Sequence, residues 1–468
     1  MSSVSALNSL LSSGSSSASS LNLSQILEAA FGASSEGIDV NSAVNAAVTA
    51  AEAPENQWES QISTLQSQAS VLNQLQSYAA NLDNDMQAFN NLTGPLSQIN
   101  VTSSNSSVVT GTAASNVATG NYQVQVNNLA TLGSWTSAPL ANASADMPAG
   151  SFTITTSTGT ATITTDGSET LTDVANQING ESNLGISANV ITDDTGSRLA
   201  LISNTTGTAG NFTVTASQGN TYGFTQAAGT DASVTLDGIL VSSSSNTITG
   251  IIPGLTLNLL SVDPGAYVSL GVGANTAQAA SAINQFVSDY NVLLNAVNSQ
   301  FTDTGSGQGV LATDPALRNL QSELEGAASF TSTLKGTNTS LASIGITMNK
   351  DGSLSVNSAT LNNALQNNFS AVQNFFQGTS LNGFANSLDQ ALTGFISPGD
   401  GAFTVDLQSI GTQESSLQTD ITNFQQNYIT PLQNHLQSEY GQAEILLQEL
   451  PAQTAQINAE LGFNSKSQ

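Results

Sequence analysis

The feature that most constrains this chain is a change of hydrophobic period, made twice. Both ends carry heptads and the middle alternates with period two. Near the start, Trp58, Ile62, Leu65, Ala69, Leu72, Ala79, Leu82, Met86 and Phe89 recur in steps of three and four, and only Gln76 interrupts the seam. Pro54 suits a first helical turn and Gly94-Pro95 a stop. Near the end, Phe403, Leu407, Ile410, Leu417, Ile421, Phe424 and Tyr428 keep one frame, with Glu414 its polar occupant. Pro431 is expected to kink or break that helix before the frame resumes at Leu436, Tyr440, Ala443, Leu447 and Leu450.

Between the two seams the spacing is that of half-buried strands. Tyr122, Val124 and Val126 alternate with polar residues, as do Phe152 and Ile154, Val234 and Leu236, Leu255 to Leu259, and Val268 to Val272. Asp166-Gly167, Asp237-Gly238 and Pro253-Gly254 supply turns. One short helix is expected at Leu171, Val174 and Ile178. Helical period returns with Ile283, Phe286, Tyr290 and Leu294. Asp314-Pro315 opens another helix, Asp351-Gly352 marks a hairpin at 341–356, and Leu361 to Val372 read as one more helix.

The expected fold class is therefore α+β and multidomain. Terminal heptad helices form a helical bundle or coiled-coil leg, and a β-rich head of two domains is inserted between them. The expected boundaries are 1–36 for a disordered Ser-rich tail, with a transient helix at Leu21 to Phe31. A leg is expected from 37–57 with 401–468, and a helical bundle from 58–100 with 273–400. The first head domain takes 101–135 with 231–272, and the second 136–230. The seam residues expected to serve self-assembly or filament contact are Trp58, Ile62, Leu65, Leu72, Leu82, Phe89, Leu407, Ile410, Leu417, Ile421, Phe424, Leu436, Leu447 and Leu450.

Composition narrows the function classes. Thirty-three acidic and 5 basic residues give a net charge of −28. The basic residues are scattered, so no face can neutralise phosphates, and nucleic acid and anionic membrane are poor partners. No cysteine is present, which excludes disulfides and thiolate metal sites. The single histidine, His435, lies off the apolar frame and reads as a solvated helix residue. No G-x-S-x-G elbow occurs, and Gly305 to Gly309 matches neither a P-loop nor a dinucleotide fingerprint. Asn349-Lys350-Asp351-Gly352 lacks the flanking carboxylates of a calcium loop. No catalytic residue, cofactor or metal site is assigned. No apolar run of transmembrane length is seen, and the start lacks the basic and apolar regions of a conventional signal peptide.

Several segments, in order, resemble the flagellar filament cap family (FliD, flagellar hook-associated protein 2). They are Gly37-Ile38-Asp39-Val40-Asn41, Ala51-Glu52-Ala53-Pro54, and Gly120 to Ala130 (GNYQVQVNNLA). Further on come Ser197 to Ser203 (SRLALIS), Ile252-Pro253-Gly254-Leu255, Ile283 to Asn291 (INQFVSDYN) and Ile344-Gly345-Ile346-Thr347. The resemblance covers roughly residues 37–462, but the Ser-rich leader is longer and Lys and Arg are scarcer than in the family. It implies a structural protein and not an enzyme, secreted through the flagellar type III channel to the filament tip. It further implies a homo-oligomeric ring, commonly a pentamer, that retains exported flagellin and promotes its folding. Hook-associated junction proteins and an export chaperone would be its other partners, and some members also serve in cell adhesion. Two readings stay open beside it. One is another axial flagellar protein, a flagellin or hook–filament junction protein; the other is a Ser/Thr-rich surface adhesin.

Overall fold

The computed structural model describes residues 40–460 apart from 116, 218–220, 304, 306, 335–336 and 381. The expected Ser-rich tail and its transient helix lie outside the described residues. The described residues divide into two compact units: those up to 81, 292–324 and those from 390 make the first, and 82–291 with 325–389 the second.

Helix α1 (Val40–Ala51) and the long α2 (Ala53–Asn90) open the chain. Strands follow in the order β1 (Ile99–Ser103), β2 (Val109–Ala113), β3 (Gly120–Asn128), β4 (Leu132–Thr136), β5 (Gly150–Thr155) and β6 (Thr160–Thr165). Helix α3 (Leu171–Gly180) interrupts them. Next come β7 (Ile186–Asp193), β8 (Gly196–Thr206), β9 (Thr213–Ala216), β10 (Thr225–Ala227), β11 (Ala232–Leu236), β12 (Ile239–Ser243), β13 (Thr247–Thr249), β14 (Leu255–Leu259) and β15 (Val268–Ala274). The remaining elements are α4 (Thr276–Phe301), α5 (Pro315–Ala327), β16 (Thr331–Leu334), β17 (Thr337–Ser340), β18 (Ile346–Met348), β19 (Leu354–Val356), α6 (Ser358–Asn367), α7 (Phe369–Gln377), α8 (Phe384–Ile396), α9 (Ala402–Phe424) and α10 (Thr430–Glu460). A π-helical turn, Gln425–Ile429, joins α9 to α10.

Within the second unit the strands build two separate cores. An antiparallel sheet ordered β1-β15-β3-β11-β12 packs on a β13-β14-β2 sheet. Their inward residues, among them Val124, Val126, Val234, Leu257 and Leu270, form one buried cluster. These are the alternate positions seen in the sequence, because successive strand side chains point to opposite faces. Asp237 (φ 48°) and Gly238 (φ 84°) close the β11–β12 hairpin with both residues left-handed, the turn that matches strand twist.

The second core lies between the sheets β10-β4-β8-β7 and β6-β5-β9, with α3 against it. Phe152 packs edge-on to Tyr222 at 5.0 Å and beside Phe224 at 5.1 Å. Helix α3 starts with a reciprocal cap. Thr170 Oγ1 accepts from the Asp173 amide at 3.2 Å, and the Asp173 carboxylate accepts from the Thr170 amide at 3.1 Å. The Thr170 hydroxyl, which donates to the same carboxylate at 2.7 Å, and then the Thr170 amide hold the Asp173 carboxyl below its ordinary pKa. This whole module is inserted between β3 and β11, which pair with each other, Val126 opposite Val234. Its entry and exit meet where the Thr131 amide donates to the Thr230 carbonyl at 2.9 Å. Strand β4 belongs to this inserted module.

The helical part of the second unit is built on phenylalanine. Phe89 of α2 lies 4.7 Å from Phe376 of α7, and Phe286 of α4 meets Phe384 of α8 edge-on at 5.4 Å. Phe375 stacks on Phe384 at 5.4 Å. Buried Gln377 donates to the Phe89 carbonyl at 2.7 Å and to Ser97 Oγ at 3.2 Å, so it satisfies a carbonyl in the last turn of α2. The expected hairpin at 341–356 forms as β18–β19, and Asp351 Oδ1 accepts from the Ser353 amide at 3.1 Å. The expected helix over 361–372 is two helices, broken at Asn368, whose φ/ψ of −138°/38° is not helical.

Pro431 does not break the helix. It occupies the second position of α10, directly after the π turn, and the Thr430 amide bonds back to the Gln425 carbonyl five residues earlier. The wider turn takes in the region where a proline ring would collide with the preceding helical turn. Pro451 likewise sits inside α10.

Candidate self-assembly and filament-contact surface

Within the first unit, α2 and α9 run antiparallel. Gln425 donates to Glu55, Gln66 Nε2 to Glu414 Oε1 at 2.6 Å, and Gln76 Nε2 to Thr404 Oγ1 at 3.4 Å, so rising numbers on one helix meet falling numbers on the other. The two polar occupants of the apolar frames, Gln76 and Glu414, are thus each given a polar partner from the facing helix. Trp58 packs edge-on to Phe424 at 5.5 Å, and Phe424 stacks on Tyr428 at 5.1 Å. Helix α1 continues the pairing along α10. Val44, Val48 and Ile429 are buried together, with Val40, Phe424, Leu436 and Tyr440 packed round them.

The seam residues expected to make outside contacts fall into three groups. Trp58, Ile62, Leu65, Leu72, Leu407, Ile410, Leu417, Ile421, Phe424 and Leu436 lie in the first unit and are buried or half-buried. Leu82 and Phe89 are fully buried inside the second unit. Leu447 and Leu450 stand open, 43% and 51% exposed, in a stretch of α10 that also exposes Ile445, Leu446 and Ile457.

Sequence reasoning missed Leu75, which is 1% exposed and carries the seam past Gln76. The steps Leu72, Leu75, Ala79 and Leu82 are three, four and three, so the signal was present in a shifted frame. The exposure of Ile239, Leu240, Leu260, Val262 and Tyr267 was also missed. Ile239 and Leu240 lie on β12, an edge strand bonded on one side only. Alternation predicts one buried face there, whereas the sheet ends before either face is covered.

The electrostatics of the first unit are sparse. Burial, and then the charge of Asp314, raise the Asp406 pKa. Arg318 sits 5.3 Å from the centre of the Phe301 ring and donates to the Ala312 carbonyl at 3.1 Å. His435 is exposed, 3.6 Å from Glu439 one turn on. Among the described residues no group of three or more His, Asp or Glu side chains is placed to hold a metal ion, and no helix is long and apolar enough to cross a membrane.

The N-terminal domain model of flagellar hook-associated protein 2 matches residues 36–132, and its C-terminal domain model matches 229–452. The chain belongs to the FliD family. Residues 151–205, in the inserted module, also match the flagellin hook IN motif. Among FliD-family proteins, the B-type flagellar hook-associated protein 2 of Pseudomonas aeruginosa is 28% identical over 370 residues, 70% of this chain and 77% of the relative. The flagellar hook-associated protein 2 of Aeromonas caviae is 25% identical over 454 residues, 88% of this chain and 94% of that one. A crystal structure of the D1-D2-D3 domains of the flagellar cap protein FliD from Escherichia coli superposes with a TM-score of 0.56 at 25% identity, covering 73% of this chain and 99% of that one.

Proposed function

We infer that this chain caps the distal end of a bacterial flagellar filament, where it retains exported flagellin and promotes its folding and polymerisation. Family membership, matched on both sides of the inserted module, is the observation that carries this reading. The chemistry is consistent with it: the surface is assembled from Ser, Thr, Asn and Gln with few charges, and its work is contact. The chain assembles with copies of itself into a ring, reaches the tip through the flagellar export channel, and there meets flagellin and the junction proteins. The open end of α10 is the filament-contacting part, because Leu447, Leu450 and Ile457 repeat the helical frame without cover.

The test is complementation of a strain that lacks its own cap. The wild-type chain should restore motility and filament growth. Leu447→Asp with Leu450→Asp puts charge into that stripe, at a cost of several kcal/mol wherever the stripe becomes buried. It should leave the melt of the folded chain nearly unchanged and release unassembled flagellin into the medium. Normal filaments in the double variant would remove α10 from the contact, and failure of the wild-type chain to restore growth would remove the cap reading.

A further inference from the structure

Two carboxyl pairs lie in the helical part of the second unit, and neither belongs to the apolar seams. Asp83 and Asp85 are on α2, near its C-terminal end. The carboxyl of Asp83 faces that of Asp389 on α8, and the carboxyl of Asp85 faces that of Asp289 on α4. Asp83 is only 7% exposed. Its Oδ2 accepts from Gln87 Nε2 at 2.8 Å, whereas Oδ1 is buried with no donor. Asp85 Oδ2 is buried in the same condition.

A buried carboxylate oxygen without a donor is costly, and two carboxylates in contact cannot both stay ionised cheaply. No cation among the described residues relieves them. Among the described residues Arg198 pairs with Asp193 at 3.5 Å, Arg318 lies over Phe301, Lys350 is exposed in the β18–β19 turn, and His435 is on α10 of the first unit. The charged groups facing the pairs are the acidic partners themselves; Gln285 Nε2 donates to Asp289 Oδ2 at 2.9 Å, and buried Tyr290 follows Asp289 on α4. The Tyr290 hydroxyl is pushed up by burial and by the charge of Glu325, and it donates to the Gly352 carbonyl at 3.3 Å. The group that completes each pair is a proton. One carboxyl then donates to the other, the arrangement of a shared-proton dyad.

We propose that Asp83–Asp389 and Asp85–Asp289 are proton-operated latches that fasten the end of α2 to α8 and α4, closed while each pair holds a proton and loosened when it is lost. Burial, and then the partner carboxyl, raise Asp83 to about 6, and burial with the charge of Asp289 raises Asp85 to about 7. Folding therefore retains protons that the unfolded chain releases above about pH 4. The stabilising effect is full below that value and is lost as pH rises through the folded values. From about pH 4, each latch raises the unfolding constant by up to about tenfold per pH unit, to about pH 6 for the Asp83 pair and about pH 7 for the Asp85 pair. Among the described residues these are the carboxyls that place the pH response in the near-neutral range.

The experiment uses the full chain and the double variant Asp83→Asn with Asp85→Asn, in which each amide can donate to its partner at any pH. Wild-type amides at 82–90 should exchange faster at about pH 8 than at about pH 5 once the intrinsic pH effect on exchange is removed. The variant should show little difference. Infrared difference spectra should show a protonated-carboxyl band in wild type near pH 6 that the variant lacks, a readout that a merely structural role would not move. Equal pH dependence in both proteins, or no such band, overturns the proposal. Full protection by calcium at high pH, matching that of acid, would also overturn it, since the pairs would then be cation sites.

Discussion

A few side chains do work that their neighbours cannot take over, and Gln377 is one. Its amide is the donor for a carbonyl in the last turn of α2. Gln377→Ala leaves that carbonyl buried and unpaired, and should cost about 1–3 kcal/mol in a denaturant melt. Gln377→Glu should recover stability at acid pH, where the carboxyl can donate, and lose it again as that carboxyl ionises. Thr170→Ala removes one half of the α3 cap and should cost about 1 kcal/mol, confined to the inserted module. The intact cap also has a pH signature opposite to that of the Asp83 and Asp85 pairs. Asp173 is held below its ordinary value by accepting from Thr170, so its stabilising effect is present at neutral pH and lost on acidification through the folded value. Chemical-shift titration of the Asp173 carboxyl would check the direction.

At the level of elements, the π turn ahead of Pro431 is the least expected feature. Pro431→Ala restores an amide and removes the ring, so an ordinary helical register becomes available through Gln425–Ile429. The variant should melt higher and gain helical circular dichroism. It should also disturb the stacking of Phe424 on Tyr428, visible as a change in Trp58 fluorescence because Trp58 packs on Phe424. A lower melting temperature would mean that the π turn is held by its aromatic neighbours rather than by the proline. Much of the fold was legible. Period-two runs such as Tyr122 to Val126 and the Asp237-Gly238 turn encode their geometry locally, and so does the Asp314-Pro315 opening of α5. The π turn was not, because its cause is a proline and its remedy a hydrogen-bond pattern that no spacing rule encodes. Nor was the core around Phe330, Phe375, Phe376 and Phe384, which joins residues distant in sequence whose individual windows are ordinary. The candidate surface was only half legible. Periodicity identifies apolar stripes on helices, and it cannot tell a stripe covered by α1 or α9 from one left open at Leu447 and Leu450.

For the molecule as a whole, charge sets the terms of association. Copies carrying −28 repel one another, and salt screens that repulsion over about 10 Å at 0.1 M. Raising salt should therefore preserve or strengthen the proposed ring, as read by light scattering. Dissociation in salt would reveal ion-pair contacts between copies. The neck of the inserted module has a consequence of another kind. Because β3 and β11 already lie side by side, and residues 131 and 230 are bonded to each other, everything between them hangs from a narrow neck like a pendant on a ring, steadied there by Thr206 donating to the Ser244 carbonyl at 2.6 Å and the Thr208 amide to Asp231 at 2.6 Å. Replacing residues 132–229 by a two-residue Asn-Gly turn should leave the β1-β15-β3-β11-β12 sheet folded, with a cooperative melt and its strand signal intact. A graft of unrelated sequence with closely spaced ends should be accepted at the same place. Heredity can then rewrite the decoration on this protein without renegotiating its scaffold, and the distance between two threonines is what grants that licence.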